Sequence, residues 1–333
     1  MYNITDIRSM HFEVTSKCQA KCPMCPRRIN GGKLNPNLIL DEITLEKFVQ
    51  WFDTDFVKQL DSFYMCGNLG DPIVAKDTLE IFQYLRKHNP KIYLRMHTNG
   101  SAKSIPWWKN LAEQKVTVIF GIDGLADTHS KYRINTDWSK IIENAQAFIS
   151  NGGDARWDMI IFKHNEHQID ECRILSKQLG FKEFSIKHTS RFKDDKFDVL
   201  DDDNNVIDTL YPTSKSKSMI TKVKKAQQEV LPVISCKAKN QSELYVSATG
   251  AISPCCWLDL EWWPEQSFNK NDYLEKIKEF PNLTNNSLKE IFDSGYFSKI
   301  SNCWITTGLK ECSKQCGSFD KLNEQFIRIT HEN

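Results

Sequence analysis

Apolar and polar positions along the chain follow two periods. Short β-type runs are rich in apolar and β-branched residues: "HFEVTS" (11–16), "SFYMC" (62–66), "IYLRMHT" (92–98), "VTVIFGID" (116–123), "WDMIIF" (157–162) and "FSIKH" (184–188). Between them lie stretches with helical spacing: "EITLEKFVQWFD" (42–53), "KDTLEIFQYLRKH" (76–88), "WSKIIENAQAFIS" (138–150) and "HQIDECRILSKQLG" (167–180). Asn89-Pro90 ends the second helix and Gly152-Gly153 closes the third. Six strands, each followed by a helix or long crossover, predict parallel β/α units with right-handed connections and strands covered on both faces. Polar residues interrupt this pattern at strand C-termini: Cys18, Gly67 to Asp71, Thr98 to Gly100, and Asp123. In a β/α barrel that rim forms the active site. Each turn alone reads as ordinary Gly/Asn/Asp punctuation; four in phase with the strands carry more weight.

The texture changes after about residue 190. Residues 1–190 read as the β/α core and 191–229 as a charged connector or lid with a solvated helix, or a plain linker. Residues 230–333 read as a smaller cysteine-rich domain, in which "LYVSATGAISPCCW" predicts a β-hairpin and 286–300 a helix. The formal net charge of +1 gives no electrostatic case for nucleic acid or membrane. No apolar run reaches the roughly 18 residues of a membrane span, and the N-terminus lacks a signal-peptide layout. A cytoplasmic protein is expected, where thiols stay reduced and eleven cysteines point away from disulfides.

Those cysteines are clustered. Cys18, Cys22 and Cys25 follow the first strand as C-x3-C-x2-C. A four-iron cluster normally takes one cysteine per iron, so three ligands leave one iron open to another partner. A zinc site completed by a distant His or Asp is the alternative. The motif after an N-terminal strand resembles the signature of the radical S-adenosylmethionine (SAM) enzymes, and the likeness runs from residue 10 to about 190. It implies an α/β fold, a partial (β/α)6 TIM-like barrel with a small C-terminal α+β extension. It further implies that SAM chelates the open iron of a [4Fe-4S] cluster, is cleaved by one electron to a 5′-deoxyadenosyl radical, and abstracts hydrogen from substrate. A flavodoxin- or ferredoxin-type reductant is implied as partner.

Residue by residue, "MCGNLGDPIV" resembles the family's glycine-rich "GGEP" turn, so Gly70 and Asp71 would hold the SAM amino group, with Asp for the usual Glu. "MHTNGS" resembles the "TNG" element at Thr98 and Asn99. "FGIDGLADTHSKYR" is similar to "SxDG…H…R": Asp123 lies in it, Arg133 would pair with the SAM carboxylate, and Gly121 replaces the usual Ser. Met24, Ile161 and Phe162 would line the adenine pocket, with Asn165 nearby; core packing is their plain alternative. A surface salt bridge is the alternative for Asp71 and Arg133, and His129 reads as a turn residue.

Cys236, Gly250-x4-Cys255 and Cys312-x3-Cys316 resemble the family's SPASM or shorter twitch extension. The resemblance implies one auxiliary [4Fe-4S] cluster on Cys236, Cys255, Cys312 and Cys316, leaving Cys256 and Cys303 outside; a zinc ribbon is the alternative. The position after Cys255, an Asp in sulfatase-maturing members, is here Cys256, a thiol able to donate a hydrogen atom or an inert buried cysteine. The substrate class stays open between a peptide and a small molecule. The first strand starts about ten residues in, leaving no leader-binding domain ahead of it, which weakens a peptide substrate or calls for a separate recognition protein. Trp107-Trp108 and Trp262-Trp263 could line a cleft or be half-buried surface aromatics. The competing function is an iron–sulfur or zinc protein of binding or regulatory type, without catalysis.

Overall fold

The computed structural model describes residues 2–213, 233–258, 281–306, 309–317 and 326–330. In chain order the elements are β1 (Ser9–Phe12), α1 (Leu45–Trp51), α2 (Thr54–Gln59), β2 (Ser62–Met65), α3 (Thr78–His88), β3 (Tyr93–Thr98), α4 (Ile105–Glu113), β4 (Val116–Gly121), α5 (Trp138–Ser150), β5 (Asp154–Ile161), α6 (Ile169–Gln178) and β6 (Glu183–His188). Then follow the β7 (Phe197–Leu200) and β8 (Val206–Leu210) hairpin, α7 (Lys237–Asn240), β9 (Glu243–Val246), β10 (Ile252–Ser253), α8 (Leu288–Asp293), α9 (Tyr296–Thr306), α10 (Lys310–Cys316) and β11 (Phe326–Thr330). The first six strands alternate with helices, so the chain is α/β with six β/α repeats. Among the described residues no helix is long and apolar enough to cross a membrane.

Two compact units divide the chain. The first comprises Met1–Lys17, Asn37–Arg95 and Glu229–Lys321. In it β1 pairs parallel with both β2 and β9, and β10 returns antiparallel on β9. Alternation along β1 gives each face its own chemistry. Phe12 packs against Phe48, Phe52 and Phe63 at ring distances of 5.3, 6.5 and 5.4 Å, forming an aromatic core under α1. His11 faces the other way, stacked on Tyr64 at 4.5 Å and edge-on to Tyr245 at 4.9 Å.

The second unit comprises Cys18–Pro36, Met96–Gln228 and Leu322–Asn333. Here β4, β5 and β6 run parallel and β11 pairs antiparallel with β6. Its core joins Trp108, Phe120, Phe148, Trp157 and Phe181. Trp108 is thus a core residue, its Nε1 donating to the Ala102 carbonyl at 3.0 Å, while Trp107 carries Lys103 over its ring at 5.5 Å.

The helix expected over 286–300 is two helices. Gly295 at φ +75° breaks it, a left-handed conformation glycine adopts without penalty. Within the charged stretch after 190, residues 197–210 form the β7–β8 hairpin. Asp201 builds its turn, the Oδ1 accepting from the Asp203 and Asn205 amides at 2.9 and 2.8 Å. The segment read as a solvated helix and the Trp262-Trp263 pair lie outside the described residues.

Candidate functional site

The loop that follows β1 brings Cys18, Cys22 and Cys25 into the second unit. Tight turns shape it: the Cys25 amide donates to the Cys22 carbonyl at 3.0 Å and the Arg28 amide to Cys25 at 3.1 Å. Buried Arg27 reaches back through Nη1 to the Cys18 carbonyl at 3.1 Å. Two bonds tie the loop to the segment after β4: the Lys21 amide to Ile134 O at 2.8 Å and Asn135 Nδ2 to Gln19 O at 2.7 Å. The three thiols border one apolar cluster with Met24, Tyr132, Phe162 and Phe192, closed by Val199 and Leu210 of the hairpin. Gly32 makes that closure possible, since a Cβ there would meet Asp201 O at 2.2 Å.

A buried ion pair brings charge into this apolar setting. Arg133 Nε donates to Asp123 Oδ2 at 2.5 Å, with the Asp123 side chain fully buried. Burial works against the arginine's charge, but Asp123, Cys22 and Tyr132 outweigh it and hold its pKa above the ordinary value. Asp123 is fixed from all sides. Its Oδ1 accepts from the Ile160 amide at 2.6 Å, and its own amide donates to His129 Nδ1 at 3.1 Å. Burial lowers the His129 pKa to about 3, so it is a neutral acceptor supporting the loop. Asn165 adds Nδ2 bonds to Asp123 O and Ile160 O at 3.1 and 3.0 Å.

Gly121 explains how Arg133 lies where it does. A Cβ at 121 would sit 2.7 Å from Arg133 Nη2, so the bare backbone is the floor on which the guanidinium rests. On the other side of the loop, Asn99 Nδ2 donates to Cys18 Sγ at 3.7 Å, and its Oδ1 accepts from Gln19 Nε2 at 2.8 Å. Thr98 Oγ1 accepts from the Gly100 amide at 3.0 Å. Gly100 itself, at φ +72°, leaves no room for a side chain beside Phe120. Burial pushes the Cys22 thiol up to about 11, with Arg133 beside it pulling the other way. Of the predicted adenine-pocket residues, Met24 and Phe162 join the cysteine cluster. Ile161 falls on the β5 face of Trp157 and Met159, and its neighbour Ile160 packs against the cysteines.

Gly70 and Asp71 belong to the first unit. A Cβ on Gly70 would meet Thr15 O at 1.8 Å, and the Asp71 amide donates to Lys17 O at 2.9 Å. The Asp71 carboxylate accepts from the Ile73 amide at 3.2 Å. Glu13, which no motif marks, accepts from the Asn68 and Leu69 amides of the same turn at 3.2 and 3.4 Å, and from Tyr245 Oη at 3.0 Å. Burial raises its pKa to about 7 against these three donors.

The C-terminal cysteines form a second site within the first unit. Cys236, Cys255, Cys312 and Cys316 line one pocket together with Trp257, Leu258, Ile300, Trp304 and others. Cys236 caps α7, its sulfur accepting from the Lys239 amide at 3.4 Å. The Ser235 amide donates to Cys316 O at 2.9 Å, which holds the two ends of the motif together. Hydrogen bonding to Cys316, and then burial, raises the Cys236 pKa; burial raises Cys255 to about 12 and Cys312 to about 11. Cys256 points elsewhere, half-buried beside Asn68, Glu13 and Cys66. Neither Cys256 nor Cys303 lines the pocket. All eleven cysteines are free thiols. Among the described residues no three His, Cys, Asp or Glu side chains converge closely enough to hold a single metal ion.

A scan against family models matches residues 12–173 to the radical SAM superfamily. The chain belongs to the radical SAM superfamily. Residues 236–317 match the SPASM iron–sulfur cluster-binding domain, a range of the radical SAM chain that contains all four thiols of the second pocket. Among solved structures it resembles Streptococcus suis SuiB bound to S-adenosylmethionine: 14% identity, TM-score 0.54, 86% of this chain and 65% of SuiB. It also resembles anSMEcpe with bound AdoMet: 18% identity, TM-score 0.56, 86% of this chain and 77% of that one. SuiB bound to its precursor peptide SuiA matches at 14% identity and TM-score 0.56, covering 86% and 64%. At these identities the likeness shows the shared fold. No curated protein sequence matches the chain.

Proposed function

We propose that this chain is a radical SAM enzyme that abstracts a hydrogen atom from a peptide or small molecule, with one auxiliary [4Fe-4S] cluster. The observation that carries the reading is the Cys18–Cys25 loop. Three thiols border a closed apolar cluster beside the buried Asp123–Arg133 ion pair. That donor set fits a four-iron cluster with one open iron. A cluster on these thiolates, with SAM at the open iron, supplies one-electron cleavage of SAM to methionine and a 5′-deoxyadenosyl radical.

The chain's own groups would do the rest. Arg133 would turn its Nη donors toward a carboxylate, because Asp123 engages Nε. Asp71 would offer its carboxylate to an ammonium. Asn99 would fix Cys18 through its amide, and Met24, Phe162 and the hairpin would exclude water from the thiols. Cys236, Cys255, Cys312 and Cys316 would hold the auxiliary cluster; their shared apolar pocket supports this over scattered core cysteines. Cys256, beside Glu13 and outside that pocket, is proposed as a possible hydrogen donor. A peptide is the favoured substrate class, since SuiB is solved with its precursor peptide and anSMEcpe with the Cp18Cys peptide.

Anaerobic reconstitution followed by dithionite and SAM tests the reading. Release of 5′-deoxyadenosine is expected, with about eight irons per chain, four in each of two clusters. Full iron loading without 5′-deoxyadenosine would leave a metal-binding protein without catalysis. Cys312→Ala with Cys316→Ala should cost about four of those irons.

A further inference from the structure

Trp304 stands out among the residues lining the second cysteine pocket. It projects from α9 into the space bordered by Cys236, Cys255, Cys312 and Cys316. Its indole Nε1 is fully buried and has no hydrogen-bond partner. A buried N–H without an acceptor costs on the order of 1–3 kcal/mol, and native proteins rarely tolerate one without a reason. The pocket wall supplies the reason. The indole shares that wall with Cys312. The remaining wall is Pro254, Trp257, Leu258 and Ile300, with Glu311 and Gln315 as its polar members. No oxygen of that wall accepts from the N–H, which leaves the thiol sulfurs as the acceptors remaining to it.

We infer that Trp304 is a tuning residue of the auxiliary cluster, donating its indole N–H to the Cys312 thiolate or to a cluster sulfide next to it. The inference rests on the auxiliary cluster proposed above. A hydrogen bond to cluster sulfur stabilises the more negative, reduced state and raises the reduction potential. The first site offers a counterpart within the same chain, where Asn99 Nδ2 donates to Cys18 Sγ at 3.7 Å. Nothing in the spacing of the cysteines marks Trp304; its part follows from packing alone.

The test is redox potentiometry of the reconstituted holoenzyme followed by EPR, with SAM added to separate the SAM-responsive signal from the auxiliary one. In Trp304→Phe the auxiliary signal should keep its spin count. Its reduced-to-oxidised ratio at fixed potential should fall about tenfold, which for one electron is about 59 mV toward lower potential. Trp304→His, which can restore a ring N–H, should recover part of the shift. The SAM-responsive signal should not move in either variant. Wild-type protein labelled with 15N-indole tryptophan should show a nitrogen coupling at the auxiliary cluster by pulsed EPR, a readout that does not depend on the Phe variant assembling its cluster. An intact auxiliary cluster with unchanged potential, or a labelled wild type with no indole coupling, overturns the inference and leaves the cluster assignment standing. Wild type that binds only about four irons, all lost on changing Cys22 to Ala, overturns both.

Discussion

Around Cys18, Cys22 and Cys25 the protein places a buried ion pair, an amide on sulfur and a closing hairpin. Around Cys236, Cys255, Cys312 and Cys316 it places mainly indole rings and aliphatic side chains, with Glu311 and Gln315. The first site has three thiols and a charged neighbour; the second has four thiols in an apolar wall. A site that must admit a zwitterion needs groups whose charges are already held in position, because burying an unpaired charge costs several kcal/mol. A site whose ligands complete the metal's needs only shielding and fine adjustment of charge. Under the function proposed above, the contrast would give substrate-activating chemistry to the first and electron storage or relay to the second.

The largest effect that would break this contrast is expected at Arg133. Arg133→Ala leaves Asp123 buried and unpaired, which should cost about 3–5 kcal/mol of stability by anaerobic chemical denaturation. The same change should weaken SAM binding about a hundredfold, the loss of a charge-assisted fork worth about 3 kcal/mol. The auxiliary EPR signal should be untouched. A matching change in both signals would mean that the two sites are not separately built.

Glu13 tests the neighbourhood of the second site by pH. Its pKa is raised from 4.5 to about 7 by burial, so the folded state binds this proton more tightly than the unfolded chain. Its contribution to stability is therefore full below about pH 4.5 and is lost as pH rises through about 7, on the order of 3 kcal/mol in all. Denaturation midpoints measured at pH 5 and pH 8 should fall for wild type across this interval. Glu13→Gln should remove that part of the slope, and an unchanged slope would count against a buried, protonatable Glu13.

The smallest effect is expected at Gly121. Gly121→Ser puts a Cβ 2.7 Å from Arg133 Nη2, and crowding of this kind costs about 1–3 kcal/mol. SAM affinity should drop about tenfold by titration calorimetry, with Asp123 still paired. Unaltered affinity would show that the guanidinium does not need the bare backbone beneath it.

The strands of the β/α core were legible because apolar runs and turn residues agree there. β2, β3 and β6 lie within a residue of their expected bounds, and α5 coincides with 138–150. The β7–β8 hairpin escaped notice because "DDDNN" between its strands reads as solvated charge, whereas Asp201 uses that charge to build a turn. Helix α4 was masked by the Trp107-Trp108 pair, read as cleft lining or as half-buried surface aromatics although Trp108 is core. Within the site, cysteine spacing pointed to the ligands. It could not show that Gly121 is a floor for Arg133 or that Ile160, rather than Ile161, packs against the cysteines, since both depend on how distant segments pack.

The pairing of β1 with β9 has a consequence for how the chain is made. Ser9 lies opposite Glu243, so one edge of the first strand receives its partner only after some 230 further residues have been synthesised. At about 5–20 residues per second the ribosome needs on the order of ten seconds or more to deliver that partner. During this interval the nascent chain carries an unpaired strand edge beside the segment holding its first three cysteines, the exposure that invites wrong strand pairing. Efficient maturation in the cell therefore depends on whatever shields that edge before the C-terminal third emerges.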